Sequence, residues 1–549
     1  MKQWMRYLLI FIALLPLLLL RDFTPDNELK YLSIADEAIA NGHIFAFYNH
    51  GVAYADKPPL YIWAIMLGKL LFGEHLMFFI SLLSVIPAFV TLWIMGKWCE
   101  RYLSRNKTIN AELMLVTSIY FLAPIIVLRM DMLMTMFITL SLYTFYRMYM
   151  HNHLIAGNTG RNLTGTPAEK RKYCRWRWLL PLYIFMALFT KGPIGIMMPL
   201  LSITLFLAVS GEIRSIGKYL GWRCWALLAS LCAVWFTCVY LDGGTEYLNN
   251  LLFNQTVNRA VDAFHHKKPF YFYGVTYWFS LAPWSLLAFV TVILALCKKL
   301  FNTTLLKFFA VIVASTFIML SIISSKLEIY MLPCFPFIIY GTAILLPMVK
   351  ESKWIRISVI VPALLLVIAL LGSVVIVRFL NNIALPEVVF NLWAPVELFV
   401  AIPGVGGLCA LYFLFKKGSV GGAINSIAIA MLLLVFSVSF SMPKVNPIIG
   451  LKEGCCKAME IASERGIDNF SHYRMTIGSN LDVYLNRPLT ELKAEELETL
   501  SNSMLFIKTK YIARDSLLER AVEGRERFVY GEYSIIPFEK SHIVNSHEQ

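Results

Sequence analysis

The chain has 549 residues, 58% of them hydrophobic and 15% charged, with a mean hydropathy of +0.63 and a formal net charge of +14. A soluble fold of this length cannot bury so much apolar surface, so the composition excludes a soluble globular enzyme and points to a polytopic membrane protein. The positive charge lies in alternate short loops, with no basic soluble domain; this excludes a nucleic-acid partner and reads as a topology signal that also favours contact with anionic membrane lipids.

Apolar stretches of spanning length are predicted near 5–20, 75–96, 110–128, 131–149, 178–190, 193–211, 220–241, 271–297, 305–324, 328–348, 355–379, 391–415 and 420–441, about thirteen helices. The first has a basic start but ends Leu18-Leu19-Leu20-Arg21-Asp22, without a small-residue cleavage site, and is read as an uncleaved span. One set of loops holds Lys97, Arg101 and Arg105, then the run Lys170 to Arg177, then Arg214, Lys218 and Arg223, then Lys298 and Lys299, Lys350 and Lys353, and Lys416 and Lys417. The opposing short loops hold little beyond Arg129, Lys191 and Lys326, so the first set is cytoplasmic. The 21–74 loop, the turn at Asp131, the 242–270 loop, the stretch Lys326 to Tyr330 and the C-terminal tail then share the outer face.

Within the first loop, Leu29, Leu32, Ala35 and Ile39 follow helical spacing until Asn41-Gly42 stops the run. A second amphipathic stretch, 60–72, opens at Pro58-Pro59. Both read as interfacial helices lying along the membrane surface, with a short or re-entrant span as the alternative for 60–72. Residues 1–442 form the membrane domain, and 443–549 a small α/β domain. Strands are predicted at Leu481–Leu485, Met504–Ile507 and Phe528–Tyr530, and a helix at 491–500.

Charges between hydrophobic spans are expensive and need a reason. Asp26, Glu28, Asp56 and Asp131 are carboxylates on the outer face that could position an acceptor, take a proton or bind a divalent ion; solvation or a helix N-terminal charge is the plain alternative, and Asp131 fits it well. Lys57, Arg259, Lys267, Lys268 and Lys326 are cations on the same face and suit a phosphate, against a reading as solvated or snorkelling charge. Lys191, in Thr190-Lys191-Gly192-Pro193, is equally a turn residue or a phosphate contact. His265-His266 point to different sides in regular structure, which disfavours a shared metal, and the ten cysteines show no metal-like spacing. Tyr330, Trp63, Tyr277, Trp278 and Trp284 read as an interfacial aromatic belt. No Walker loop or dinucleotide fingerprint is present, so energy must come from a gradient or an activated substrate.

The stretches Pro25-Asp26-Asn27-Glu28-Leu29-Lys30-Tyr31 and Asp56-Lys57-Pro58-Pro59-Leu60-Tyr61, followed in order by the Asp131 turn, Thr190 to Pro193, Asn258-Arg259-Ala260 and Ser325 to Pro333, resemble the bacterial aminoarabinose transferases and the related protein O-mannosyltransferases. The resemblance covers about residues 1–350. It implies a GT-C glycosyltransferase fold of α-helical spans with a C-terminal periplasmic domain, in the bacterial inner membrane. It also implies an undecaprenyl-phosphate-linked sugar as donor and inverting transfer on the periplasmic side, to lipid A in the aminoarabinose branch and to protein in the other. By the same resemblance, Lys57, Arg259 and Tyr330 match positions that hold the donor's lipid phosphate, and Asp26 or Glu28, Asp56 and Asp131 match the acids of the cavity. Asn27 separates Asp26 from Glu28 where the relatives carry adjacent acids, and Asp56 stands where glutamate is common. No histidine in 250–258 matches a metal ligand of some relatives, so no cofactor is assigned and a divalent metal stays open. A flippase for a polyprenyl lipid is the reading outside enzymes.

Overall fold

The computed structural model describes residues 2–25, 27–157, 167–253, 268–380, 387–540. The chain enters through α1 (Gln3–Leu20), then forms α2 (Glu28–Asn41), the short strand pair β1 (Tyr48–Asn49) and β2 (Val52–Ala53), and α3 (Pro59–Phe72). Helix α2 stops where predicted, with Gly42 in the left-handed region at φ 74° donating its N–H to the Ala38 carbonyl. The proline pair at 58–59 opens α3, where a missing N–H costs nothing.

The bundle continues with α4 (Met77–Trp98), α5 (Arg105–Val116), α6 (Ile119–Ile126), α7 (Asp131–Gly157), α8 (Pro167–Lys191), α9 (Ile194–Val209) and α10 (Trp222–Asn249). After α11 (Phe272–Ser280) and α12 (Ser285–Cys297) come α13 (Thr304–Ile322), α14 (Phe335–Val349), α15 (Lys353–Leu380), α16 (Glu387–Phe415) and α17 (Val420–Ser439). A helix occupies each of the thirteen predicted stretches. Yet among the described residues only seven helices are long and apolar enough to cross a membrane, or nine if the pairs α5–α6 and α11–α12, bent by 65° and 117°, each count as one. The predicted number exceeds the nine by four because α7 carries Arg147 amid a threonine- and tyrosine-rich sequence, α8 begins with the basic run Lys170 to Arg177, α9 has 16 residues, and the apolar part of α16, Phe399–Phe415, is likewise short of a span. Large apolar side chains on the outer helix faces, such as Leu9, Trp222, Ile322 and Leu371, remain exposed, as lipid-facing residues do.

The tail forms α18 (Met442–Ile449), α19 (Lys452–Arg465) and a five-stranded mixed sheet in the order β4-β3-β5-β7-β6. β3 (Asn469–Tyr473) lies parallel to β4 (Thr490–Glu491) and β5 (Ser503–Lys508); β7 (Tyr533–Phe538) runs antiparallel to β5 and to β6 (Phe528–Tyr530). The strands predicted around 504–507 and 528–530 are present. The one predicted at Leu481–Leu485 is instead a 3-10 turn and a short helix, Asp482–Leu485, and the predicted 491–500 helix is reduced to one 3-10 turn, Ala494–Glu496. The 481–485 stretch turns helical because it docks on α2: Asp482 Oδ2 accepts from the Ser33 hydroxyl at 3.0 Å, and Leu481 and Leu485 join the apolar cluster of α2 and α3. That cluster is shared, with Leu29, Leu32 and Ile65 from the first loop and Cys455, Phe470 and Phe506 from the tail in one core. Two Asn446 bonds, from its amide to the Leu20 carbonyl at 2.8 Å and to its carbonyl from the Asp22 N–H at 3.2 Å, seal the seam.

Candidate functional site

Three fixings place the first loop. Arg21 forms a two-pronged bridge to Glu28 at 2.6 and 2.7 Å, and Glu28 also accepts from the backbone N–H groups of Thr24 and Leu128 at 2.5 and 2.6 Å. This buried knot ties the end of α1, the start of α2 and the turn leading to Asp131. From α10, Asp242 accepts from the N–H groups of Ile44, Phe45 and Ala46 at 2.9, 2.6 and 2.8 Å and meets His43 Nδ1 at 2.8 Å. One turn on, the Tyr247 hydroxyl accepts from the Phe47 N–H at 3.0 Å and donates to the Tyr54 carbonyl at 2.9 Å. The chain segment that delivers Asp56 and Lys57 is therefore held from the membrane helix at both ends.

Two cavities meet at that segment. A polar one of about 180 Å³ is lined by Asn27, Lys30, Tyr31, Tyr54, Arg129 and Asp131, together with Asp56, Lys57, Lys191 and Tyr330. An apolar one of about 260 Å³ is lined by Leu188, Met197, Trp235, Phe236, Leu251, Leu320 and neighbours. Asp56, Lys57, Lys191 and Tyr330 line both. At this junction Lys57 Nζ lies 2.8 Å from Asp56 Oδ2. Lys191, at the end of α8 where Gly192 turns the chain at φ 89°, pairs with Asp131 at the start of α7. Its ammonium also sits 4.7 Å from the centre of the Tyr330 ring. Both members of the Lys191–Asp131 pair are nearly buried, at 8% and 5% side-chain exposure, so each fixes the other's charge where water cannot.

The structure thus brings together Asp56, Lys57, Asp131, Lys191 and Tyr330 from four separate segments. It does not bring in Glu28, which is fully buried with both oxygens engaged by Arg21 and backbone N–H groups. Nor does Lys326 reach the cavities: it is buried and donates to the carbonyls of Ile323 at 2.6 Å and Lys268 at 3.1 Å, closing the end of α13. Asp26, Arg259, His265, His266 and Lys267 lie outside the described residues. Trp284 does not belong to an exposed belt; it is buried, with Nε1 donating to Thr117 Oγ1 at 3.0 Å. Among the described residues no three His, Cys, Asp or Glu side chains gather as a metal-ligand set.

The polar cavity also contains residues not singled out by their chemistry in the sequence: Asn27, Lys30, Tyr31, Tyr54 and Arg129. Asn27, Lys30 and Tyr31 share one face at the start of α2, three and four residues apart, which is the signal that could have found them. Lys30 Nζ lies 4.6 Å from the Tyr54 ring centre, a cation over an aromatic face at the cavity wall.

Residues 56–157 match the family model described as dolichyl-phosphate-mannose-protein mannosyltransferase. A protein of Aquifex aeolicus with no assigned activity is 27% identical over 358 residues, 64% of this chain and 65% of its own length. An undecaprenyl phosphate-alpha-4-amino-4-deoxy-L-arabinose arabinosyl transferase of Shewanella sediminis is 24% identical over 444 residues, 80% of this chain and 76% of that one. Its counterpart in Proteus mirabilis is 26% identical over 57% of this chain, a match that spans only about half, 53%, of the relative. The crystal structure of ArnT from Cupriavidus metallidurans bound to undecaprenyl phosphate superposes with a TM-score of 0.72 over 97% of both chains at 18% identity, and the apo form with 0.71. The fold is therefore the GT-C architecture of the aminoarabinose transferases, over nearly the full chain. The resemblance read from the short sequence stretches is met by both the relatives and the architecture.

Proposed function

We propose that this chain, a membrane protein with the GT-C fold, is a glycosyltransferase that moves a sugar from undecaprenyl phosphate to an acceptor, lipid A first among the candidates. We place the reaction on the periplasmic side of the inner membrane, because the cavities open on the face opposite the lysine- and arginine-rich loops. The observation that carries the reading is the junction itself: one apolar cavity and one polar cavity share two lysines and a tyrosine. A polyprenyl phosphate sugar has the same order of parts, an apolar chain, an anionic link and a polar head.

In that pose the isoprenoid lies along Leu188, Trp235 and Leu320, the phosphate sits at Lys57, Lys191 and Tyr330, and the sugar faces Asn27, Tyr54 and Arg129. Attack on the anomeric carbon breaks its bond to the phosphate oxygen, and the leaving polyprenyl phosphate gains negative charge. The two ammonium groups are already in place to meet it, which lowers the barrier without reorganisation. Tyr330 completes the anion site as a hydroxyl donor. A direct displacement inverts the anomeric centre and needs no covalent enzyme intermediate.

The ranking of acceptors rests on the acids. Asp56 and Asp131 are each ion-paired to a lysine, an arrangement that serves to hold those lysines and the sugar's polar groups. An acceptor that arrives ionised, such as a lipid A phosphate, needs no general base, whereas a hydroxyl acceptor does. The second reading, transfer to a protein hydroxyl, is favoured by the mannosyltransferase match over residues 56–157. Incubating the purified chain with labelled undecaprenyl phosphate sugar and either lipid A or peptide separates the two. Label on lipid A supports the reading; label on peptide alone selects the second; lipid movement across vesicles with no transfer overturns both.

A further inference from the structure

Another polar cavity lies at the opposite end of the bundle from the site just described. It has about 700 Å³ and lies where α5 begins, where α14 passes into α15, and where α16 turns into α17. Lys107, Lys350 and Arg356 line it against a single acid, Glu351, which sits 3.6 Å from Lys350. Asn106 and Asn110 add amide groups on the α5 side.

A second cavity, apolar and of about 710 Å³, runs between α16 and α17. It is lined by Ile402, Val405, Cys409, Ile429 and Leu433, among others. The two cavities share Gly422 and Asn425 and so form one path from a basic bowl into an apolar groove. Asn425 stands at the join, and its side-chain oxygen is buried without a hydrogen-bond partner among the described residues. A buried amide oxygen in an apolar wall is costly unless a polar group of something else reaches it.

We propose that this path binds one anionic glycerophospholipid of the leaflet opposite the transfer site, headgroup in the bowl and an acyl chain in the groove. Charge complementarity selects the headgroup: three cations against one acid suit a phosphodiester that carries no compensating ammonium. Length selects the chain. From Gly422 to Leu433 the helix rises 11 residues, about 16 Å at about 1.5 Å per residue. That is the depth of one leaflet, half of a hydrocarbon core about 30 Å thick. A polyprenyl chain is several times longer than this groove. The headgroup phosphate pairs with Lys350 and Arg356, and a headgroup hydroxyl donates to the Asn425 side-chain oxygen. The site touches none of the residues at the transfer junction, so it stands whether or not the proposed reaction is correct.

A photoreactive phosphatidylglycerol, incubated with the purified full chain, tests this. Adducts are expected on the peptide 420–433, at least tenfold more than with a matched photoreactive phosphatidylcholine, and capture falls as salt rises. Lys350→Gln with Arg356→Gln should bring capture down to the phosphatidylcholine level, and Ile429→Trp, which fills the groove, should do the same with the charges intact. Salt dependence in the unaltered chain keeps the test valid if a variant misfolds. Equal capture of the two lipids, adducts confined to other peptides, or full competition by inorganic phosphate or by undecaprenyl phosphate at matched concentration would each overturn the assignment.

Discussion

Lys191 lies with its ammonium 4.7 Å from the centre of the Tyr330 ring while it pairs with Asp131 on its other side. Residues sixty and more positions apart in sequence thus make a single unit at the mouth of two cavities. Removing Lys191 alone strands a buried carboxylate, so Lys191→Ala should cost about 3–5 kcal/mol of stability as well as transfer. Lys191→Met combined with Asp131→Asn should recover most of the stability and none of the transfer. Thermal unfolding and turnover, measured on the same preparations, separate the two effects; recovery of transfer in the double variant contradicts the assignment.

Lys57 and Asp56 keep more side-chain exposure, 17% and 22%, than the Lys191–Asp131 pair and are neighbours in sequence, so the loss of Lys57 leaves less strain in the fold. Lys57→Gln should leave the melting temperature within a few degrees and lower turnover about 10²–10³-fold, the size of effect seen when one preplaced donor to a developing anion is removed. Steady-state kinetics with labelled donor would show it, and near-normal turnover would remove Lys57 from the anion site.

Glu28 stands apart from this behaviour. Its carboxylate accepts from Arg21 and from two backbone N–H groups in full burial. Glu28→Gln should weaken the knot by about 3–5 kcal/mol, leaving Arg21 as an unpaired buried charge. Turnover per folded molecule should stay within a few-fold of the parent. Active-site titration against folded protein distinguishes this from a direct role in the reaction.

Acidity should act first on the sheet of the tail. Burial pushes the His472 imidazole below its usual value, with Glu491 opposing and His50 adding to the effect. Its Nε2 lies 2.8 Å from Ser479 Oγ, and a side chain at position 478 would strike its ring, so glycine stands there. The unfolded chain therefore takes up a proton that the folded chain refuses, and this contribution is lost as pH falls below about 6.5. Asp482, raised mainly by burial, works in the opposite sense at and above the ordinary aspartate range. Protection factors of the β3 and β5 amides, corrected for the pH dependence of intrinsic exchange, should fall between about pH 7.5 and 5.5 in the parent and less so in His472→Gln. An equal fall in both would clear His472.

The membrane class, the positions of the membrane helices and the grouping of the charged outer loops on one face were legible in the sequence, because hydropathy and loop charge are local properties. So were α2 and α3, from their spacing, Asn41-Gly42 and Pro58-Pro59. Lys57, Asp56, Asp131, Lys191 and Tyr330 were also named as separate candidates. Their common outer face was legible, and through the resemblance a common cavity; the pairs they form there were not, nor was the separation of Glu28 and Lys326 from them. A carboxylate in a loop reads the same whether it faces a cavity or a buried arginine.

The same limit explains the tail. Leu481 to Leu485 alternates as a strand does, yet it is helical because α2 offers Ser33 and an apolar face to receive it. Composition, period and charge placement by themselves determined that this chain spans a membrane and gathers its costly charges on one side. Only the tertiary structure decided which of those charges are spent holding the fold and which meet at the junction. The reason is physical: a partner at 3 Å sets the role of a buried charge, and partners come from anywhere in the chain.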